Sequence, residues 1–129
     1  MKNKQELIFD IIQVTPRGKV IYYSQISQCL LAFHDIFLRG QVVGWQMSAM
    51  KNNPKFQDIN WQRVIAKSGQ IVTYKLGFAG SIQFNTLVEE GILINDGLIN
   101  LETFGLPSNE LSRLYQEFLD KTSEKSINN

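Results

Sequence analysis

Few side chains in this sequence are suited to covalent chemistry. The 129 residues include a single cysteine, Cys29, and a single histidine, His34. Cys29 lies inside a predicted helix without a base beside it, and free cysteines are among the most buried residues, so we expect an unreactive thiol in the core. A metal site needs several ligands close together, and His34 has no such neighbours in the sequence, so we interpret it as a surface or linker residue. The sequence predicts neither a metal nor a cofactor.

The segment Asn53–Val64 is better suited to binding than to catalysis. Its centre is Trp61, which lies between the polar residues Asn60 and Gln62. These polar flanks favour a site role for Trp61 over plain core packing. An indole offers a large flat ring and one N–H donor, and a glutamine amide cannot act as a base near neutral pH. Stacking of a base on an aromatic ring is worth about 1–3 kcal/mol, so Trp61 and Tyr74 together could hold a purine.

Composition indicates a single soluble globular domain. Hydrophobic residues make up 43% of the chain and charged residues 19%, with a formal net charge of +1. Such a charge neither requires nor excludes nucleic acid, because binding depends on local patches. A lone cysteine forms no internal disulfide, no apolar run is long enough to cross a bilayer, and the N-terminus has no signal-like core. We therefore expect a cytoplasmic protein that does not bind membranes.

Hydrophobic periodicity predicts a mainly helical chain. The predicted helices are Asn3–Val14, Gln25–Phe33, Gln41–Lys51, Ser81–Glu90 and Ser108–Lys121, with a frayed tail after Lys121. Asn3 and Glu6 predict a capping pair for the first helix, and Ser24 can cap the second. The second and third are joined by a short connector, which suggests a helix-turn-helix. Gly44 lies within the third, where glycine costs about 1 kcal/mol relative to alanine. Close packing, or close approach of another backbone, usually explains such a glycine.

Three β-prone regions accompany the helices, namely one short run and two predicted hairpins. Lys19–Tyr23 is the first. Arg63–Ala66 and Ile71–Tyr74 predict a hairpin with Ser68-Gly69 in its turn, and Ile92–Leu101 predicts a second hairpin around Asp96-Gly97, a strong turn signal. The second hairpin could be a wing. The predicted fold is therefore a winged-helix-like, helix-turn-helix DNA-binding domain, mainly α with small β-hairpins.

Several segments resemble, in order and spacing, the DNA-binding domain of the O6-alkylguanine-DNA alkyltransferase family. They are Pro16–Val20, Tyr23–Ile26, Gln41–Gly44, Asn53-Pro54, Asn60–Val64, Ile65–Gly69, Tyr74 and Glu90-Gly91. The resemblance is closest to the alkyltransferase-like members, which keep the damage-binding pocket without the acceptor cysteine. It implies a winged-helix domain over residues 1–106, with residues 107–129 forming an amphipathic helix and tail of the same domain.

The resemblance also implies roles for the DNA-facing residues. Tyr23 would press on the phosphate 3′ of the damaged base and help to rotate that base out of the stack. The helix from Gln41 would lie in the minor groove, with Gly44 packed closely. Asn53 would brace the active-site turn, and Tyr74 would donate a hydrogen bond toward a guanine ring nitrogen. The backbone around Val64 would contact the base.

The chain departs from the family pattern at the reactive groups. Trp61 occupies the position of the acceptor cysteine, and Gln62 that of the histidine that helps to form the thiolate. Glu90 matches the carboxylate that orients this histidine and so would lack its partner. Gln41 stands where the family places an intercalating arginine, and Arg39 lies two residues earlier. Alkyl transfer would therefore lack both nucleophile and base.

These observations predict a protein that recognises O6-alkylguanine in duplex DNA by base flipping, without turnover, and flags the damage for excision repair. Its partners would be double-stranded DNA with alkylated guanine and nucleotide excision repair proteins. Candidate phosphate-binding cations are Arg17, Lys19, Arg39, Lys51, Arg63 and Lys75. One alternative is a transcriptional winged helix that reads the major groove. The other is a degenerate family member that acts as a protein-interaction domain, with its C-terminal helix serving a partner.

Overall fold

A computed structural model of the chain describes residues 2–71 and 78–128, with side chains described for residues 2–71 and 82–123. The helices are α1 (Lys4–Gln13), α2 (Tyr23–His34), α3 (Gly40–Met50), α4 (Phe78–Glu89), α5 (Leu101–Phe104) and α6 (Ser108–Asn128). The strands are β1 (Ile21–Tyr22), β2 (Val64–Ile65), β3 (Ile94–Asn95) and β4 (Leu98–Ile99). Two 3₁₀ turns, Pro54–Phe56 and Trp61–Arg63, lie between α3 and β2.

Helix α1 forms as its sequence predicts. The Asn3 side chain accepts a hydrogen bond from the Glu6 amide at 2.9 Å, and the Glu6 carboxylate accepts one from the Asn3 amide at 3.3 Å. This reciprocal pair satisfies two amides that the first helical turn leaves without partners. The apolar face of the helix is buried against α2 and α3, so the capping pair and the periodicity are both confirmed.

Helix α2 begins two residues earlier than predicted. The side chain of Gln25 turns back and accepts a hydrogen bond from the Tyr22 amide at 2.9 Å, while its own amide donates to the carbonyl of Leu106 at 2.8 Å. Gln25 is therefore a buried polar residue with its hydrogen bonds satisfied. As a result Tyr23 lies in the first turn of α2 and not on a strand, and Ser24 is not the cap.

The first predicted hairpin is only partly correct. Its turn is present, because the Ala66 amide donates to the Gln70 carbonyl at 3.0 Å across a three-residue loop that ends at Gly69. Strand β2, however, pairs in parallel with β1, in the register Ile21↔Val64. A short apolar run marks an extended segment but does not specify a partner more than 40 residues away. The rest of the predicted hairpin, with Tyr74 and Lys75, lies outside the described residues.

The second predicted hairpin is confirmed. Strands β3 and β4 pair antiparallel, with Ile94 opposite Ile99, and Asp96 and Gly97 in the turn have φ angles of 53° and 76°. Two consecutive positive φ angles match the right-handed twist of the flanking strands. The Ile71 amide donates to the Gly97 carbonyl at 2.9 Å, which fastens this hairpin to the preceding turn.

Helix α6 covers the core of its own chain. Leu111 and Tyr115 are fully buried, so the apolar face predicted for this helix is not left open for a partner. The His34 Nε2 atom lies 2.6 Å from the Tyr115 hydroxyl, which corrects the interpretation of His34 as a surface or linker residue. Burial lowers the pKa of His34 and raises that of Tyr115. The helix also continues to Asn128, where a frayed tail was predicted.

Two apolar clusters support these elements. The larger joins α1, α2, α3 and α6, and the smaller lies beneath α4 and the β3–β4 hairpin. Cys29 belongs to the larger cluster and is 3% exposed, as expected, and burial raises the pKa of its thiol to about 11. Within the described part of the chain, no helix has the length and hydropathy needed to cross a membrane.

Candidate nucleic-acid interface

A cavity of about 620 Å³ opens beside α3. One wall is the start of α2 at Tyr23, a second is the outer face of α3, and a third is formed by Trp61 and the residues that follow it. Protein sites for small ligands usually enclose about 300–1,000 Å³, so this cavity has the size of a binding site. It is also the place where the Asn53–Val64 segment meets the second and third helices.

Trp61 forms the wall of the cavity opposite α3. It is the first residue of the 3₁₀ turn Trp61–Arg63, is partly buried, and packs on the larger apolar cluster. The Lys51 Nζ atom lies 5.6 Å from the centre of the Trp61 ring, within the range of a cation–π interaction. The indole therefore packs on the core, has the Lys51 ammonium over its ring and lines the cavity.

A network around Glu90 holds the turn that carries Trp61. The Gln62 amide donates to Glu90 Oε2 at 2.9 Å, and Arg63 Nε donates to Glu90 Oε1 at 3.0 Å. The Gly18 amide also donates to Oε1, at 3.1 Å. Glu90 therefore has partners, contrary to the expectation that replacing the family histidine with Gln62 would leave it without one. Glutamine supplies the same kind of hydrogen-bond donor without a titrating proton.

The same network corrects the prediction that Arg63 faces phosphate. Its side chain is 11% exposed, that of Glu90 is 2% exposed, and Arg63 Nη1 also donates to the Thr15 carbonyl at 2.8 Å. Burial alone would raise the pKa of Glu90. Hydrogen bonds from Gln62, Gly18 and Arg63, together with the charge of Arg63, outweigh burial and hold the pKa below its usual value. Glu90 is consequently ionised at neutral pH.

Gln83 on α4 is a further support that the sequence did not suggest. Its buried amide donates to the backbone carbonyls of Gln62 and Val64, at 3.1 and 3.4 Å, and its side chain lines the cavity. The available signal was a polar residue within the apolar run Ile82–Phe84 of a predicted helix. Gln83 shares the buried face with Leu87, whereas Ile82 is 42% exposed.

Tyr23 and Gly44 meet where α2 crosses α3. A Cβ atom placed on Gly44 would lie 3.5 Å from Tyr23 Cε1, an ordinary van der Waals distance. The chain itself therefore does not need a glycine here, although both residues line the cavity. Burial raises the pKa of Tyr23, so its hydroxyl remains protonated and can donate a hydrogen bond.

The remaining predicted site residues are only partly gathered at the cavity. Gln41 and Val64 line it, and Lys51 and Lys67 do so with their cationic side chains. Asn53 instead accepts a hydrogen bond from the Lys55 amide at 2.9 Å and caps the 3₁₀ turn Pro54–Phe56. The other members of the predicted set, Arg39, Gln62 and Arg63, lie outside the cavity wall.

Two other candidate phosphate contacts are engaged within the chain. Arg17 donates to the Glu89 carbonyl at 2.8 Å, and Lys19 donates to the Thr103 carbonyl at 3.1 Å. Arg39 is exposed immediately before α3. Among the described residues, no group of three or more His, Cys, Asp or Glu side chains is placed to hold a metal ion.

Trp45 is the residue most clearly missed from the sequence. It is 63% exposed on α3 and lines the cavity together with Gln41 and Gly44. Its position beside the buried Val43 and Met47 in the sequence makes it look like part of the core stripe. The angular offset along the helix places it on the outer face instead.

The paired helices α2 and α3, with a ligand-sized cavity beside the second, define a helix-turn-helix DNA-binding domain. The family model described as "6-O-methylguanine DNA methyltransferase, DNA binding domain" matches residues 3–92. The chain belongs to this family.

A solved structure shares the fold. Atl1 of S. pombe, crystallised in complex with damaged DNA containing O6-carboxymethylguanine, superposes with a TM-score of 0.65 at 22% sequence identity. The alignment covers 83% of this chain and 99% of that one. The search of curated proteins found no match.

Proposed function

We propose that this protein recognises O6-alkylguanine in duplex DNA without turnover, by accepting the flipped base in the cavity beside Trp61. The observation that carries the proposal is the cavity itself, with the indole of Trp61 in its wall; by resemblance, Trp61 takes the position of the family's nucleophile. Membership of the methyltransferase family supports it, as does the fold shared with a protein crystallised on damaged DNA. The expected partner is double-stranded DNA that contains an alkylated guanine.

The cavity has the groups that a flipped base needs. Extrusion of a base costs a few kcal/mol, and the cost is lowest for a damaged or poorly paired base. Stacking on Trp61 would return about 1–3 kcal/mol once the Lys51 ammonium, 5.6 Å from the centre of the ring, moves aside toward phosphate. Lys51 and Lys67 at the cavity wall add positive charge where the phosphate backbone would pass, although the chain as a whole is nearly neutral. A damaged base would therefore be retained longer than a normal one.

The only cysteine is unsuited to accept an alkyl group. Cys29 is buried in α2 and does not line the cavity, and burial raises the pKa of its thiol to about 11. The thiolate is the nucleophilic form, so very little of it is present at neutral pH. Gln62 cannot serve as a base either. We therefore propose binding without alkyl transfer.

The proposal is tested by equilibrium binding to two matched duplexes, one with O6-methylguanine and one with guanine. Tighter binding to the damaged duplex is expected. Replacing Trp61 with alanine should reduce this preference by roughly 5- to 150-fold, the equivalent of 1–3 kcal/mol, and should change affinity for the undamaged duplex much less. Mass spectrometry of the protein after incubation should show no added methyl group. Equal affinity of the unmodified protein for both duplexes would refute the proposal.

Gly44 offers a second test, because its effects on stability and on binding should have opposite signs. Gly44→Ala should raise the free energy of unfolding by about 1 kcal/mol, since alanine is the better helix former and the added Cβ meets no clash inside the chain. The same methyl group would project from the face of α3 that lines the cavity and should weaken duplex binding.

Ala49 provides the matched control. It is exposed on α3 but does not line the cavity. Ala49→Gly should lower the free energy of unfolding by about 1 kcal/mol and leave DNA affinity unchanged. Urea unfolding and the two-duplex assay measure both quantities. If Gly44→Ala bound DNA as tightly as the unmodified protein, close approach of the DNA backbone to α3 would be excluded.

The competing functions make different predictions. A transcriptional winged helix would have no use for a cavity beside Trp61 and would prefer a sequence over a lesion. A protein-interaction domain would bind neither duplex, even at low salt where phosphate contacts are strongest. The cavity favours lesion recognition over both. We further propose that the bound protein marks the lesion for excision repair proteins in the cytoplasm.

A further inference from the structure

Trp45 is exposed to a degree that is unusual for tryptophan. Its side chain is 63% exposed, although indoles are highly buried on average. It is a member of neither apolar cluster, and no ring or cation contact of Trp45 is found among the described residues. Trp61, in contrast, is anchored on the core and covered by Lys51. The fold therefore gains little from the indole of Trp45.

The position of Trp45 relates it to the cavity. It follows Gln41 by one helical turn on the face of α3 that lines the cavity, and Ser48 continues this face at the next turn. Trp61 lines the same cavity from another element. Both indoles line the cavity, but Trp61 is packed on the core whereas Trp45 is mostly exposed on α3.

Base extrusion leaves a gap in the duplex next to the protein. Proteins that open the minor groove often insert an apolar side chain between base steps, because the inserted group replaces part of the lost stacking. Gln41, the polar residue one turn earlier, has little surface with which to stack. Three of the candidate phosphate contacts, Arg17, Lys19 and Arg63, also bond within the chain, which weakens the attraction for phosphate. An apolar contact of large area would compensate for both.

From this placement we infer that Trp45 is a wedge that inserts between base steps of any bound duplex, and that at a lesion it lies beside the extruded base. The inference rests on the proposed function, since it takes the cavity as the destination of that base. Trp45 then acts on the duplex, whereas Trp61 acts on the damaged base. Replacing Trp45 should therefore change the affinity for any duplex, whereas replacing Trp61 should change the preference for the damaged duplex.

The test uses the full chain and the two matched duplexes. Trp45→Ala should weaken binding to both duplexes by roughly 5- to 150-fold and leave the ratio of the two affinities nearly unchanged. Trp45→Phe should retain most of the affinity, because a phenyl ring can still stack. Phe37→Ala, which removes an exposed ring that does not line the cavity, is the matched control and should have a much smaller effect. Urea unfolding of each variant confirms that the fold is intact.

Salt dependence separates a neutral wedge from a phosphate contact. The slope of log affinity against log salt counts the phosphates that the protein neutralises. Trp45→Ala should lower affinity at every salt concentration without changing this slope, whereas a cationic contact such as Lys51 should reduce the slope when it is removed. A changed slope in Trp45→Ala, or an affinity within about twofold of the unmodified protein for both duplexes, would overturn the wedge.

Fluorescence gives an independent readout. The chain has two tryptophans, so Trp61→Phe leaves Trp45 as the only indole. Acrylamide should quench its emission strongly in the free protein and much less at saturating duplex. Equal quenching in both states would also overturn the wedge. That result is expected if Trp45 contacts a protein partner instead of DNA.

The two proposals fail in distinguishable ways. If the unmodified protein prefers the damaged duplex and Trp45→Ala binds like it, the wedge is wrong and lesion recognition stands. If the unmodified protein binds both duplexes equally while Trp45→Ala loses affinity for both, lesion recognition is wrong and Trp45 is still a DNA contact.

Discussion

Replacing Glu90 with alanine is expected to lower the free energy of unfolding by about 3–5 kcal/mol, because it leaves Arg63 buried without a counter-charge. The two side chains are 2% and 11% exposed, and their ion pair measures 3.0 Å. The substitution also removes the acceptors of the Gln62 amide and the Gly18 amide. Each buried donor that is left without an acceptor adds to the loss of stability, because its desolvation is no longer offset by a hydrogen bond. Urea unfolding measures the loss.

An exposed glutamate provides the control. Glu117 pairs with Arg113 on the surface of α6 at 2.5 Å, with half of each side chain in solvent. Surface pairs contribute little because water already screens and solvates both charges. Glu117→Ala should therefore change stability far less than Glu90→Ala. Equal losses in the two variants would show that Glu90 is not the centre of a buried network.

The ion pair should also be visible in the pH dependence of stability. The pKa of Glu90 is lower in the folded state than the value of about 4.3 expected in an unfolded chain. A carboxylate whose pKa is lower in the folded state stabilises the fold. The stabilisation is complete at pH values above the unfolded-state pKa and is lost as pH falls through the folded-state pKa. The difference in stability between the unmodified protein and Glu90→Gln should thus be constant from neutral pH to about pH 5 and should shrink below about pH 4.3. A difference that does not change with pH would contradict this assignment.

Gly69→Ala is the second change with a large expected effect, a loss of more than about 3 kcal/mol. Gly69 has a φ of +91°, which L-residues rarely adopt. An added Cβ would also lie 2.4 Å from the carbonyl oxygen of Ile99, a backbone atom that cannot move aside without disturbing β4. The Gly69 carbonyl accepts the Ile99 amide at 2.8 Å, so the same shift would break the contact between this turn and the β3–β4 hairpin.

Gly91 is the matched control. Its φ is +89°, but no atom lies within 4 Å of its added Cβ. Gly91→Ala should therefore lose only the conformational energy of about 1–2 kcal/mol. Thermal or urea unfolding measures the loss of stability in each variant. The extra loss in Gly69→Ala is the steric cost of the contact between its Cβ and the Ile99 carbonyl. Equal losses would mean that the Gly69 turn moves away from Ile99 without cost.

The sequence predicted the elements whose signals are local. The capping pair at Asn3 and Glu6, the apolar faces of α1, α3 and α6, and the Asp96-Gly97 turn all depend on residues within a few positions of one another. Each was found where it was expected. Cys29 was expected in the core because of its residue type and its helical neighbours, and it is there.

The errors concern contacts between distant parts of the chain. The parallel pairing of β2 with β1, and the contact of His34 with Tyr115, join segments more than 40 residues apart, and no local pattern names such partners. Glu90 was expected to be without a partner because the residue at position 62 was compared with a histidine and not with a hydrogen-bond donor. The charge of Arg63 suits phosphate, but its burial depends on contacts with Glu90 and Thr15, which are distant in the sequence.

The two-residue ladder between β1 and β2 determines how ready the cavity is for its ligand. Tyr23 directly follows β1, and the turn that carries Trp61 directly precedes β2, so pairing of Ile21 with Val64 joins two walls of the cavity by backbone hydrogen bonds. These walls are therefore preorganised before DNA arrives. Under the proposed function, ordering the protein would consume little of the interaction free energy, and most of it would remain to offset extrusion of the base.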